Sequence, residues 1–179
     1  TPKTAAGARQ LYDDWAETYD AALASWEYPA PRRVAETLQE HGVAEGASLL
    51  DLGCGTGLSG EALRTAGFQG EVTGVDLSQP SLDLALSKPG VYHRGLAGSL
   101  DEPLSFLQND EFDDAICVGV LSYVENFENL FRETARSCRP GAVVVMTHRG
   151  TQWDEDFRGV RSASDALEES GAWSLEAVG

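Results

Sequence analysis

The chain has 179 residues, enough for one domain with a substantial core, and its 42% hydrophobic content is ordinary for a globular protein. A net charge of −16 without an offsetting Lys/Arg cluster argues against a nucleic-acid substrate, although such charge speaks first to solubility. No apolar run has the length of a membrane span and no signal peptide is visible, while Cys54, Cys117 and Cys138 are too few and too scattered for a disulfide framework or a zinc site.

In chain order, residues 11–24 are expected to form a helix with Tyr12, Trp15 and Tyr19 on one face. Two roles fit that face: packing on a sheet, or a lid over a ligand. Tyr28-Pro29-Ala30-Pro31 breaks the chain, and a helix over 32–41 follows with Val34, Ala35 and Leu38 inward. Gly42 and Gly46 lead to the stretch SLLDLGCGTGLSG at 48–60. Its Leu49-Leu50-Asp51-Leu52 run reads as a strand, Gly53, Gly55 and Gly57 as a tight loop, and Leu58, Ala62 and Leu63 as the face of a helix that Gly67 stops. Such a loop brings backbone close to a ligand and places N–H groups at a helix start.

Residues 71–78, EVTGVDLS, give a second strand ending at Asp76, nineteen residues after Gly57. A carboxylate at that strand tip can accept both hydrogen bonds of a ribose diol, so the two stretches together predict an adenosine-containing ligand. GTGLSG at 55–60 also satisfies the dinucleotide pattern G-x-G-x-x-G. However, Asp51 and Glu61 would set negative charge against a pyrophosphate, and they favour a ligand carrying an ammonium and a sulfonium.

Ser78 should cap a helix carrying Leu82, Ala85 and Leu86, ended by Pro89-Gly90. Residues 91–95 are expected as strand three, 115–120 as strand four, 125–138 as a helix and 142–147 as strand five. A helix over 164–171 and a sixth strand over 173–178 complete the chain. The pattern is α/β, a doubly wound, mostly parallel sheet.

LLDLGCGTG followed by GVDLS resembles the first two motifs of class I S-adenosylmethionine-dependent methyltransferases. The resemblance runs from about Tyr12 to about His148, and RPGAVVVMT is similar to the family's turn before strand five. A narrower methyltransferase-like branch shares YDDWAETYD, YPAPR, PGVYHR, EPL and FDDAICVGVLS with it. The resemblance implies a Rossmann-like core over 46–179 preceded by N-terminal lid helices over 1–45, one domain in all. It implies S-adenosylmethionine as cofactor, S-adenosylhomocysteine as its product, and no metal.

The cofactor contacts it implies are Tyr12, Trp15 and Tyr19 in the lid, with Tyr19 and Trp15 nearest the methionine end, then Asp51, Gly53, Gly55, Gly57, Asp76, Leu77, Ser99, Leu100 and Val118. The family often has an acid where Ser99 and Leu100 stand. Its absence leaves Ser99 to accept a hydrogen bond and Leu100 to pack on the adenine, with Asp101 the alternative two residues on. The tip of strand four, residues 119–123, should lie beside the reactive methyl. His148 and Tyr123 are the candidate bases, and no Asn-Pro-Pro-Tyr type motif points to amide or nucleobase nitrogen.

The expected function is methyl transfer to a small molecule or a protein side chain, in the cytoplasm, with the nucleus as the alternative. The alternatives are a non-catalytic cofactor-binding module acting through protein partners, and a nicotinamide oxidoreductase. The family's seventh strand, which lies between the fifth and sixth, has no counterpart before Gly179. The expectation is therefore a chain that continues further, or a strand-five edge filled by a partner, by another segment or by self-association.

Overall fold

The computed structural model describes residues 28–148 and 150–176, so the expected helix with Tyr12, Trp15 and Tyr19 lies outside the described residues. Helix α1 (Ala30–Glu40) begins at the Pro29-Ala30-Pro31 segment, where proline suits a first helical turn. Strand β1 (Leu49–Leu52) is buried along its whole length. After it come α2 (Leu58–Thr65), β2 (Val72–Asp76), α3 (Gln79–Ser87) and β3 (Arg94–Ala97). The second half holds β4 (Asp114–Cys117), a 3₁₀ turn Leu121–Tyr123, α4 (Phe127–Ser137), β5 (Val144–Met146), α5 (Gly150–Asp154), a second 3₁₀ turn Phe157–Gly159, and α6 (Val160–Glu169).

The five strands form one sheet in the order β3-β2-β1-β4-β5, and every pairing is parallel. The central strand pairs Leu49 with both Val72 and Asp114, so β1 has parallel neighbours on both sides. Strand alternation then divides the core. Leu49 and Ile116 pack with Val34, Leu38, Leu63 and Leu82 of α1, α2 and α3. Leu50, Leu52, Ala115 and Cys117 pack on the other face with Leu130 and Phe131 of α4 and Val160 and Ala163 of α6. Asp51, one step from Leu50, is thereby turned towards the α1–α3 face. The chain runs outward from β1 to β3 and then crosses to β4, which makes the carboxyl ends of β1 and β4 the switch point where such sheets bind ligands.

Three expected elements differ from those observed. Strand β3 starts at Arg94 rather than Val91, because Val91 and Tyr92 are buried in the α1–α3 face before the ladder is fully engaged. Helix α6 begins at Val160, about a turn earlier than expected, after a stretch in which Asp156, Arg158 and Gly159 all take positive φ. Residues 173–176 form no strand. Trp173 instead lies on Phe131, with ring centroids 4.8 Å apart, and its indole N–H donates to the Ser164 carbonyl. Packing of one large aromatic on α4 and α6 has overridden the β-pattern over 173–176.

Candidate cofactor site

The loop after β1 turns on three glycines with positive φ: +75° at Gly53, +52° at Gly55 and +97° at Gly57. Their surroundings separate their roles. A Cβ at Gly53 would fall 2.3 Å from Val120, and one at Gly57 3.0 Å from Tyr92, so both are close-packing positions. A Cβ at Gly55 would meet nothing within 4 Å, which leaves Gly55 as the point where backbone borders open space. Two loop amides, of Gly53 and Cys54, donate to the Val75 carbonyl and tie the loop to the end of β2.

Asp76 completes that tie. Its Oδ2 accepts from the Gly55 N–H at 2.8 Å and its Oδ1 from the Ser78 N–H at 2.9 Å. These two bonds fix the orientation of the carboxylate at the strand tip, and a carboxylate has about four acceptor sites in all. Ser78 also caps α3 by accepting from the Ser81 N–H. Leu77, between them, is half-buried.

Asp51 has no exposed surface. Its Oδ2 accepts from Ser59 Oγ at 2.5 Å and from the Tyr92 hydroxyl at 2.6 Å, while its Oδ1 has no hydrogen-bond partner among the described residues. Burial pushes its carboxyl up to about 6; the Ser59 and Tyr92 hydrogen bonds oppose that shift, and the negative charge of Asp76 adds to it. A buried carboxylate oxygen left unpaired carries a desolvation cost that a cationic ligand group would offset. Glu61, expected to add to the negative rim, is ion-paired with Lys88 at 2.7 Å, so the charge near the loop rests on Asp51 and Asp76.

Beyond β3 the expectations change. Leu100 is 9% exposed and sits in the apolar cluster with Leu104 and Leu121, leaving little surface for an adenine ring. Ser99 Oγ accepts from the Asp101 N–H. Asp101 Oδ1 accepts from the Glu125 and Asn126 N–H groups at the start of α4, which commits it to holding that helix. An aromatic that sequence reasoning passed over, Phe106, lies here: a Cβ at Gly98 would fall 2.6 Å from its ring.

At the tip of β4, Val118 is half-buried against the α1–α3 face and the Gly119 N–H donates to Thr147 Oγ1 at 2.7 Å. The hydroxyl of Tyr28, also unforeseen, lies 2.7 Å from where a Cβ of Gly119 would stand. Tyr123 closes the 3₁₀ turn and is half-buried. His148 follows β5 and packs against Phe127 at 6.1 Å between ring centroids. Ser122 Oγ donates to Gln152 Oε1 at 2.9 Å, joining this tip to α5.

Comparison with known proteins decides the family. The profile described as "Methyltransferase domain" matches residues 50–146, more than half the chain, and spans β1 to β5. The chain belongs to the class I S-adenosylmethionine-dependent methyltransferase family. It is 35% identical to human methyltransferase-like protein 27 over 167 residues, 91% of this chain and 66% of that protein. It is 29% identical to the ubiquinone biosynthesis O-methyltransferase of Alkalilimnicola ehrlichii over 161 residues, 82% of this chain and 63% of that protein. The chain thus spans just under two thirds of the length of these relatives. A TehB-like SAM-dependent methyltransferase from Corynebacterium glutamicum shares the fold, with a TM-score of 0.66, 22% identity, and coverage of 88% of this chain and 83% of that one.

For a class I methyltransferase the residues at the head of the sheet fit the family's cofactor. Gly55 borders an opening that a side chain would fill, Asp76 is fixed at a strand tip, and Asp51 holds one oxygen without a partner. Among the described residues no helix is long and apolar enough to cross a membrane.

Proposed function

We propose that this chain carries the cofactor-binding and methyl-transfer core of an enzyme acting on a small molecule or a protein side chain. The observation that carries the reading is Asp51, a buried carboxylate with one oxygen unpartnered among the described residues, in the strand that leads into the loop of Gly55. Asp51 would pair with the ammonium of the methionine moiety, and Asp76 would accept the ribose hydroxyls. Gly53, Gly55 and Gly57 shape the wall between them, with Leu77, Ser99 and Val118 at its margins. The cofactor supplies an electrophilic methyl group. The chain's own contribution is to hold the acceptor in line with it and keep the site dry, which accounts for much of the rate in displacements of this kind.

An acceptor that carries a proton must lose it to a base, and His148 and Tyr123 are the residues assigned that role. They follow β5 and β4, at the edge where the acceptor would enter. The lid assigned to Tyr12, Trp15 and Tyr19 would close the other side of the methionine end, where aromatic faces attract a sulfonium. Three free, buried cysteines support a reducing compartment, the cytoplasm in this reading. The edge of β5 supports pairing with another chain or segment.

The test is incubation of the chain with methyl-labelled S-adenosylmethionine and fractionated lysate, followed by mass spectrometry of small molecules and proteins. Label in a defined acceptor establishes transfer. Cofactor binding without label in any fraction would make the chain a binding module instead.

A further inference from the structure

We propose that Tyr92 is a positioning residue for cofactor binding: its hydroxyl holds Asp51 so that the second carboxylate oxygen is presented to the cofactor's ammonium. The proposal rests on the reading of Asp51 as that ammonium's partner.

Tyr92 lies outside the glycine loop, in the turn before β3, and is 8% exposed. Its hydroxyl lies 3.0 Å from the Gly60 N–H and 2.6 Å from Asp51 Oδ2. Gly60 stands in the first turn of α2, where amides have no intrahelical acceptor, and the helix's N-cap, Gly57, has no side chain to serve them. The backbone N–H can only donate, so the hydroxyl accepts there and directs its own proton to Asp51. Ser59 Oγ, 3.3 Å from the same hydroxyl, donates to the same carboxylate oxygen. Oδ2 therefore has two donors, and Oδ1 is the oxygen left for a ligand.

The ring's place is built by glycines on three elements. A Cβ at Gly57 or Gly60 would fall 3.0 or 2.6 Å from Tyr92 Cε2, and one at Gly74 in β2 3.2 Å from Cδ1. Gly60, the last glycine of the dinucleotide-like pattern, is thereby explained by a tyrosine 32 residues away. The ring alone would fill this space equally well as phenylalanine, and what the hydroxyl adds is the link between the start of α2 and Asp51. Around that link stand the buried thiols of Cys54 and Cys117, the carboxylate of Asp76, and Arg64, on which Tyr92 acts electrostatically.

Tyr92→Phe removes the hydroxyl and keeps the ring. Two probes separate positioning from packing: S-adenosylhomocysteine, which carries the ammonium, and 5′-methylthioadenosine, which lacks the amino-acid portion. At pH 7 the variant should bind S-adenosylhomocysteine about tenfold more weakly, as loss of one hydrogen bond to a charged group implies. Binding of 5′-methylthioadenosine should change by less than about twofold on the same argument. The loss should narrow towards pH 9, where Asp51 is ionised in both proteins. In the ligand-free protein, the NMR titration midpoint of the Asp51 carboxyl should rise in the variant. Site-specific replacement of Tyr92 by 3-fluorotyrosine, a stronger donor of the same shape, should lower it and serves if the phenylalanine variant does not fold. Equal weakening of both probes, or an unmoved Asp51 midpoint, would overturn the proposal. Failure of the wild-type chain to bind either probe would instead reject the functional reading, and the ligand-free titration would still decide whether Tyr92 governs Asp51.

Discussion

Asp51 lies fully buried in the central strand, and burial pushes its carboxyl up to about 6 despite two hydrogen bonds that favour its ionised form. A folded-state value above the unfolded one means that the folded chain binds the extra proton. This contribution to stability is fully present below about pH 4 and is lost as pH rises through about 6. Above that pH the ligand-free fold carries an ionised, half-unpartnered carboxylate at a cost of about 3 kcal/mol. Asp51→Asn should therefore raise the stability of the ligand-free protein at pH 7.5 in denaturant titration and have little effect at pH 4. The same variant should bind S-adenosylhomocysteine at least tenfold more weakly, since its neutral amide forms no ion pair with an ammonium. A variant that is less stable than the parent at pH 7.5 and binds equally well would reject this account of Asp51. Sequence alone marked the residue by its motif, but its buried state and its missing partner follow from Ser59 and Tyr92, and Tyr92 is 41 residues away.

Among the elements, the glycine loop shows what spacing can and cannot tell. Gly53-Cys54-Gly55-Thr56-Gly57 is legible as a tight strand-to-helix turn, and all three glycines do take positive φ. Their division into packing positions and one open position is not legible, because it depends on Val120 arriving from the loop after β4 and Tyr92 from the turn before β3. The prediction at this scale concerns Gly55. Gly55→Val places a branched side chain in the open space, and S-adenosylhomocysteine should lose affinity at least tenfold. The φ of +52° adds a local strain of about 1–2 kcal/mol in an L-residue. Circular dichroism therefore accompanies the binding measurement, and a folded variant with parental affinity would place the ligand elsewhere. Strands β1 and β4 are readable as short, largely apolar runs, and β2 from Val72 and Val75 leading to Asp76. Strand β3 is not, since Val91 and Tyr92 supply its apparent β-pattern yet are spent on the helix face. The stretch at 173–176 misled in the same way, through Trp173.

At the scale of the whole molecule, the order β3-β2-β1-β4-β5 sets Asp51, Gly55 and Asp76 at one end of neighbouring strands. The net charge of −16 repels phosphate-rich partners at long range and leaves a cationic ligand group favoured at the sheet's head. The central claim is that this head binds S-adenosylmethionine and its product through two carboxylates, one on the ammonium and one on the ribose. Isothermal titration calorimetry of the chain with S-adenosylhomocysteine at pH 7.5 and pH 5, with NAD as the parallel ligand, tests it most directly. The account predicts one site for S-adenosylhomocysteine, weaker at pH 5 because Asp51 is then mostly protonated, and no binding of NAD. Folded protein that takes up NAD, or that shows no S-adenosylhomocysteine site at either pH, would contradict it.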